Sequence, residues 1–219
     1  MSHLPPPDSH LRLFYAVPLA PPLRAGAREV QEQIGRVRAR VRWVEPDNLH
    51  FTVKFLGDTP RSSLPALSTV GLQVSSRHEA FELCLAQAGA FGRPSSPSAI
   101  WIGCSRGAEG LCALASDLDR SLAAAGLCAA EARPFRAHLT IGRYKDRRSS
   151  PELAQAISEA AETDLGGFRV ERFALLSSEL TRGGPIYTEL ESFALQAGAG
   201  TPPQANSPKA TGPGGEPSA

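Results

Sequence analysis

The chain has 219 residues, with 23 Lys and Arg against 22 Asp and Glu, a formal net charge of +1, and 42% hydrophobic and 21% charged residues. This balance is ordinary for a globular protein and gives no global electrostatic case for duplex DNA or an anionic membrane surface; any nucleic-acid contact must come from a local basic patch. No apolar run approaches a membrane span, and Met1 to His10 lacks the basic start and apolar core of a signal peptide.

Residues 1–10 and 197–219, rich in Pro, Gly, Ala and Ser, read as disordered tails around a folded part at 11–196. Leu11–Pro18 is a strand candidate ended by Pro18 and the Pro21-Pro22 pair. Val30, Ile34, Val37 and Val41 recur at steps of three and four, which predicts a helix over Leu23–Val41. Trp43-Val44 and a turn at Glu45-Pro46-Asp47-Asn48 follow. Leu49–Leu56 alternates as a strand. Ser62–Leu72 reads as a helix, and Phe81–Phe91 as one strand or two with a bend. Next come a strand at Ala99–Cys104 and a helix at Ala108–Ala125 that Gly126 stops. Ala137–Tyr144 is again an alternating strand. Pro151–Ala161 reads as a helix, and Gly167–Ser177 and Pro185–Leu195 as strands. Each half therefore runs strand, helix, His-x-Thr strand, helix, strand, which is a duplicated α+β pattern.

The four cysteines, Cys84, Cys104, Cys112 and Cys128, form no C-x-x-C pair and share no metal-ligand spacing with histidines. Buried reduced thiols in a cytoplasmic protein are expected, with no metal and no cofactor. Two basic clusters stand out. Arg36, Arg38, Arg40 and Arg42 alternate, and read first as a solvated face; Arg133, Arg136, Arg143, Lys145, Arg147 and Arg148 surround the second His-x-Thr.

The chemically informative feature is the pair His50-Phe51-Thr52-Val53 and His138-Leu139-Thr140-Ile141. With 5 His and 9 Thr in the chain, one His-x-Thr is expected roughly 0.2 times by composition, and two with apolar residues at both remaining positions fewer than about 0.001 times. On a strand, residues i and i+2 share a face. Each motif thus presents one imidazole and one hydroxyl together, with Phe51, Val53 and Phe55, or Leu139 and Ile141, towards the core. Lys54 shares the His50 and Thr52 face and is expected at its edge. Two histidines can serve as base and acid on either side of a phosphorus, and threonine hydroxyls can donate to its non-bridging oxygens.

These motifs resemble those of the 2H phosphoesterase superfamily. The finer resemblance is to its bacterial and archaeal branch, the RNA 2′,3′-cyclic phosphodiesterases, also called 2′-5′ RNA ligases. It is carried by Arg12-Leu13-Phe14-Tyr15-Ala16, the Val41–Thr52 segment, Lys54-Phe55-Leu56-Gly57, Phe135–Arg143, Leu176–Leu180 and Gly184–Tyr187. Ala137 departs from the proline common before the second motif. The resemblance implies two pseudo-symmetric lobes whose antiparallel sheets line a central cleft, with helices outside. It implies hydrolysis of 2′,3′-cyclic phosphate ends of RNA, or of nucleoside 2′,3′-cyclic phosphates, to 2′-phosphomonoesters by a monomer. His50 would be the proton donor and His138 the proton acceptor. Thr52, Thr140, Arg136 and Arg143 would hold phosphate, and Phe14 or Tyr15 would stack a base. Ligation of tRNA halves through the same site, a non-catalytic RNA-binding module, and a phosphodiesterase for ADP-ribose cyclic phosphate or 2′-5′ oligoadenylate stay open as alternatives.

Overall fold

The computed structural model describes residues 9–93, 96–146 and 150–198. Most of both expected tails, and Arg147 and Arg148, lie outside the described residues; His10, assigned by sequence to the first tail, belongs to a strand. The elements are β1 (His10–Pro18), α1 (Pro21–Ile34), β2 (Val41–Trp43), β3 (His50–Pro60), α2 (Leu64–Ser75), β4 (Phe81–Arg93), β5 (Ser96–Arg106), α3 (Ala108–Ala124), β6 (Leu139–Tyr144), α4 (Pro151–Glu159), β7 (Asp164–Val170), β8 (Arg172–Leu180) and β9 (Pro185–Ala194). They form two antiparallel sheets, ordered β3-β1-β8-β9 and β2-β6-β5-β4-β7. The fold is α+β, as expected.

The two halves do not fold separately. β4, which ends the first half, lies in the second sheet beside β5; β8 and β9, from the end of the second half, lie in the first sheet, β8 beside β1 and β9 beside β8. Helices cross as well: α1 packs on β6, β7 and α4, and α3 touches α2, β3 and β5. One continuous core results, running from Leu13, Tyr15 and Phe51 to Ile100, Leu114 and Ile141.

The exchange explains two departures from the expected elements. Gly167–Ser177 was expected to be one strand, but the chain breaks at Glu171 and changes sheets, with β7 pairing β4 and β8 pairing β1. The Leu195 amide holds the crossover by donating to the Glu171 carbonyl. The helix expected over Leu23–Val41 stops at Ile34, where Gly35 disfavours its continuation. Val41 and Trp43 then pair with Tyr144 and Gly142 on β6, so strand pairing overrides the helical period. The stop at Gly126 is observed: its φ is +69°, and the Leu127 amide donates to the Leu122 carbonyl.

A third departure shapes the site. Along β1 the register passes from Ala16↔Thr52 to Tyr15↔Lys54, leaving Val53 without an opposite residue. This bulge inverts the alternation of β3. Phe51 and Val53 are buried as expected, but Lys54 turns inward and is 4% exposed, and Phe55 turns out to 44%. The expectation that Phe55 faces the core and Lys54 lies at the edge of the His50 face is corrected accordingly. The Lys54 ammonium donates to Asp119 on α3 at 2.6 Å and to Glu131 at 3.3 Å.

The four cysteines are free thiols, half-buried and not fully buried as expected. Burial pushes the Cys104 thiol up to about 11. Among the described residues, no helix is long and apolar enough to cross a membrane.

Candidate active site

His50 and Thr52, at the start of β3, and His138 and Thr140, just before and within the start of β6, line one cleft of about 1010 Å³ between the sheets. The two motifs repeat the same local geometry. His50 Nδ1 lies 2.7 Å from the carbonyl oxygen of Asn48, and His138 Nδ1 lies 2.7 Å from that of Arg136. A carbonyl only accepts, so each Nδ1 carries the proton. The unprotonated nitrogen of each neutral ring is therefore Nε2. At His50 that nitrogen lies 3.0 Å from the Thr52 hydroxyl, which donates to it. Asn48 ends a short 3-10 turn, Pro46–Asn48, before β3, and Arg136 lies in the irregular segment that leads into β6.

Both imidazoles are held below their ordinary pKa. For His50 the main cause is burial, opposed by the Asn48 hydrogen bond, with the charges of Arg143 and His138 adding to the lowering. For His138 burial again leads, opposed by the bond to Arg136, and the guanidinium charges of Arg143 and Arg136 add to it. A positive charge on His138 is thus felt at His50.

The arginines divide. Arg143 lines the cleft and is exposed. It stands directly across from Arg42 in the β2–β6 pair. Like charges opposite each other on a sheet repel, and neither forms an ion pair among the described residues, so the pair offers an anion two unspent cations. Arg136 is absent from the cleft lining, and its guanidinium lies 5.2 Å over the Phe91 ring. Phe91 in turn meets His138 edge-on at 4.8 Å. Arg136 therefore supports His138 by its carbonyl and by this stack.

The aromatic candidates divide too. Tyr15 is wholly buried in the core, where its hydroxyl donates to the Leu67 carbonyl at 2.7 Å, and it cannot stack a base. Phe14 faces the cleft, but its ring is 3% exposed, between His50 at 5.0 Å and Tyr187 at 5.1 Å. Tyr187 on β9 also meets the His50 ring edge-on at 5.2 Å. His50 is thus fixed by two aromatic rings and His138 by one. Sequence reasoning gave Tyr187 and Phe91 no role, because each reaches its histidine only through the sheet exchange or the β4–β5 pair.

A buttress ties the motifs to the scaffold. Gln31 on α1 is buried and donates to the carbonyls of Val44 and Ile141 at 2.7 and 2.8 Å. Gly142 follows Ile141, and a Cβ there would lie 2.8 Å from the Trp43 ring; the absent side chain lets Trp43 pack flat against the second motif strand. Among the described residues, no group of three or more His, Cys, Asp or Glu side chains is placed to hold a metal ion.

The sequence profile of the 2′-5′ RNA ligase superfamily matches residues 10–182. A protein of Methanothermobacter thermautotrophicus named RNA 2′,3′-cyclic phosphodiesterase is 36% identical over 185 residues, covering 84% of this chain and 99% of its own. One of the same name from Thermus thermophilus is 32% identical over 216 residues, 94% of this chain and 98% of its own. The crystal structure of Escherichia coli LigT complexed with 3′-AMP superposes with a TM-score of 0.69 at 28% identity, covering 85% of this chain and 99% of that one.

Proposed function

Because the chain belongs to the 2′-5′ RNA ligase superfamily, we propose that it hydrolyses RNA 2′,3′-cyclic phosphate ends to 2′-phosphomonoesters. The carrying observation is the pair of His-x-Thr motifs in one cleft, each with its Nδ1 proton tied to a carbonyl two residues earlier. His138 Nε2 takes a proton from water as the water oxygen bonds to phosphorus. The bond from phosphorus to O3′ breaks, and His50 Nε2 gives its proton to that oxygen. The charge that grows on the non-bridging oxygens meets the hydroxyls of Thr52 and Thr140 and the guanidinium of Arg143. Solvent then returns both rings to their starting states. The superfamily's name favours a second reading, in which a ribose hydroxyl replaces water and two RNA ends are joined; an assay offering both ends separates the two by product.

The test is incubation with the four nucleoside 2′,3′-cyclic phosphates in the presence of a chelator. A 2′-monophosphate is expected. A 3′-monophosphate would reverse the two histidine roles, and a chelated sample revived only by added zinc would reject the mechanism.

The lowered pKa values predict the pH profile. The acceptor must be neutral, so kcat/KM falls as the pH drops through the lowered His138 value. The donor must be protonated, so it falls as the pH rises through the lowered His50 value. The maximum of kcat/KM therefore lies below pH 6.5, the ordinary histidine value. A bound phosphodiester anion favours the charged donor, so the alkaline limb of kcat moves upward. A kcat/KM maximum above neutrality would contradict this assignment.

A further inference from the structure

The proposed chemistry occupies the cleft around His50, but the cleft continues along β1 and β3. On β1, Phe14 and Arg12 line the cleft, and Ala16, Phe14 and Arg12, which alternate onto one face, pair across with Thr52, Phe55 and Asp58. Residues two apart on a strand are separated by about 6.6 Å. Phe55 therefore lies one such step beyond Thr52, away from the reacting phosphate. There the bulge has turned its ring outward, 44% exposed, in a strand whose Phe51 and Val53 are buried. The guanidinium of Arg12 lies over that ring, 4.6 Å from its centroid, and Arg12 forms no ion pair among the described residues. The Arg12, Arg42 and Arg143 charges all reach Tyr187, where they oppose the rise that burial gives its hydroxyl pKa. Phe14, by contrast, is enclosed by His50 and Tyr187 and has no face to offer.

An exposed phenyl ring capped by an arginine, in a cleft with further unpaired arginines, supplies the two parts that hold a single RNA strand: an aromatic platform and a cationic track. A mononucleotide held at His50 and His138 would leave this outer part of the cleft empty.

We propose that Phe55 and Arg12 form a subsite for the penultimate nucleotide of the RNA, its base stacking on their paired planes and its linking phosphodiester facing the Arg12 guanidinium. The inference rests on the reading that the terminal cyclic phosphate sits between His50 and His138, and it makes an oligonucleotide the preferred substrate.

The experiment compares adenosine 2′,3′-cyclic phosphate with the diadenosine that carries the same cyclic end. The unaltered protein is expected to favour the dinucleotide in kcat/KM. Phe55→Ala is expected to lower kcat/KM for the dinucleotide by about 5- to 100-fold, the range of one lost base stack, with the loss confined to that substrate. Phe55→Tyr, which keeps the ring, should restore it, and Arg12→Gln should weaken the dinucleotide's salt dependence. Equal losses on both substrates with Phe55→Tyr active, or no loss on the dinucleotide, would overturn the subsite while leaving the hydrolase reading intact. Failure of the unaltered protein to open either substrate would instead reject the hydrolase reading.

Discussion

Replacing His138 or His50 with alanine is expected to lower kcat on a 2′,3′-cyclic phosphate by about 100- to 10,000-fold, the range for loss of a general acid or base. The double replacement should cost little more than the worse single one, since groups that act in one step are not additive. The expectation follows from the hydrogen bonds at both rings. Each Nδ1 is committed to a carbonyl, Asn48 or Arg136, so Nε2 alone is left to move a proton in the cleft. Neither threonine can substitute, because a hydroxyl does not titrate near neutrality. His50 is enclosed by Phe14 and Tyr187, so His50→Gln, which fills more of that space, separates lost chemistry from lost packing. Single-turnover rates with folding checked by circular dichroism would measure both. A variant of either histidine that keeps more than a tenth of the activity would remove that ring from the mechanism.

Asp119→Ala is expected to destabilise the protein by about 3 kcal/mol, near the lower end of what breaking a buried ion pair costs. The Lys54 side chain is 4% exposed and its ammonium lies 2.6 Å from Asp119. Without Asp119 the charge keeps only Glu131 at 3.3 Å, itself 60% exposed, and a long bond to the Ala129 carbonyl. For a domain of this size the thermal midpoint should fall by roughly 6–12 °C. Lys54→Met should cost less, because it removes the buried charge and leaves Asp119 with the Glu131 amide. The pH dependence has a definite sign. Burial would raise Asp119, but its bonds to Lys54 and the Glu131 amide bring it below 3.8. Burial would lower Lys54, but Asp119 and Glu131 carry it above 10.5. The pair therefore contributes fully between those values; its contribution fades as the pH falls below 3.8 or rises beyond 10.5. A midpoint unchanged by Asp119→Ala would show that solvent already screens the pair.

The candidate site was legible in sequence because its logic is local. A histidine and a threonine two apart on a strand share a face whatever the strand's neighbours do, and both motifs fall near the starts of strands, ahead of any irregularity. What lies a few residues further was not legible. The face of Lys54 and Phe55 is set by a bulge, and a bulge arises from register with β1, on which the residues of β3 carry no information. The break at Glu171 was hidden for the same reason, and the end of α1 at Gly35 was masked because the helical period runs on into β2, which pairs with β6 far along the chain. The resemblance implied Arg136 and Tyr15 as site residues, but Phe91 and the core claim their side chains. Tyr187 lies in a segment that carries the resemblance, but its contact with His50 had no local signal, since it reaches that ring only after β9 crosses back.

The crossing of strands between sheets has a consequence for how the molecule is made. Strand β1 is synthesised long before β8, yet its second edge is closed only by β8, where Phe14 pairs with Leu176. A nascent chain truncated before Arg172 would carry β1 with open backbone donors and acceptors, a template for intermolecular pairing. Such long-range closure slows folding. Neither half is therefore expected to survive as a separately expressed fragment, and the two together should recover a native structure only when mixed.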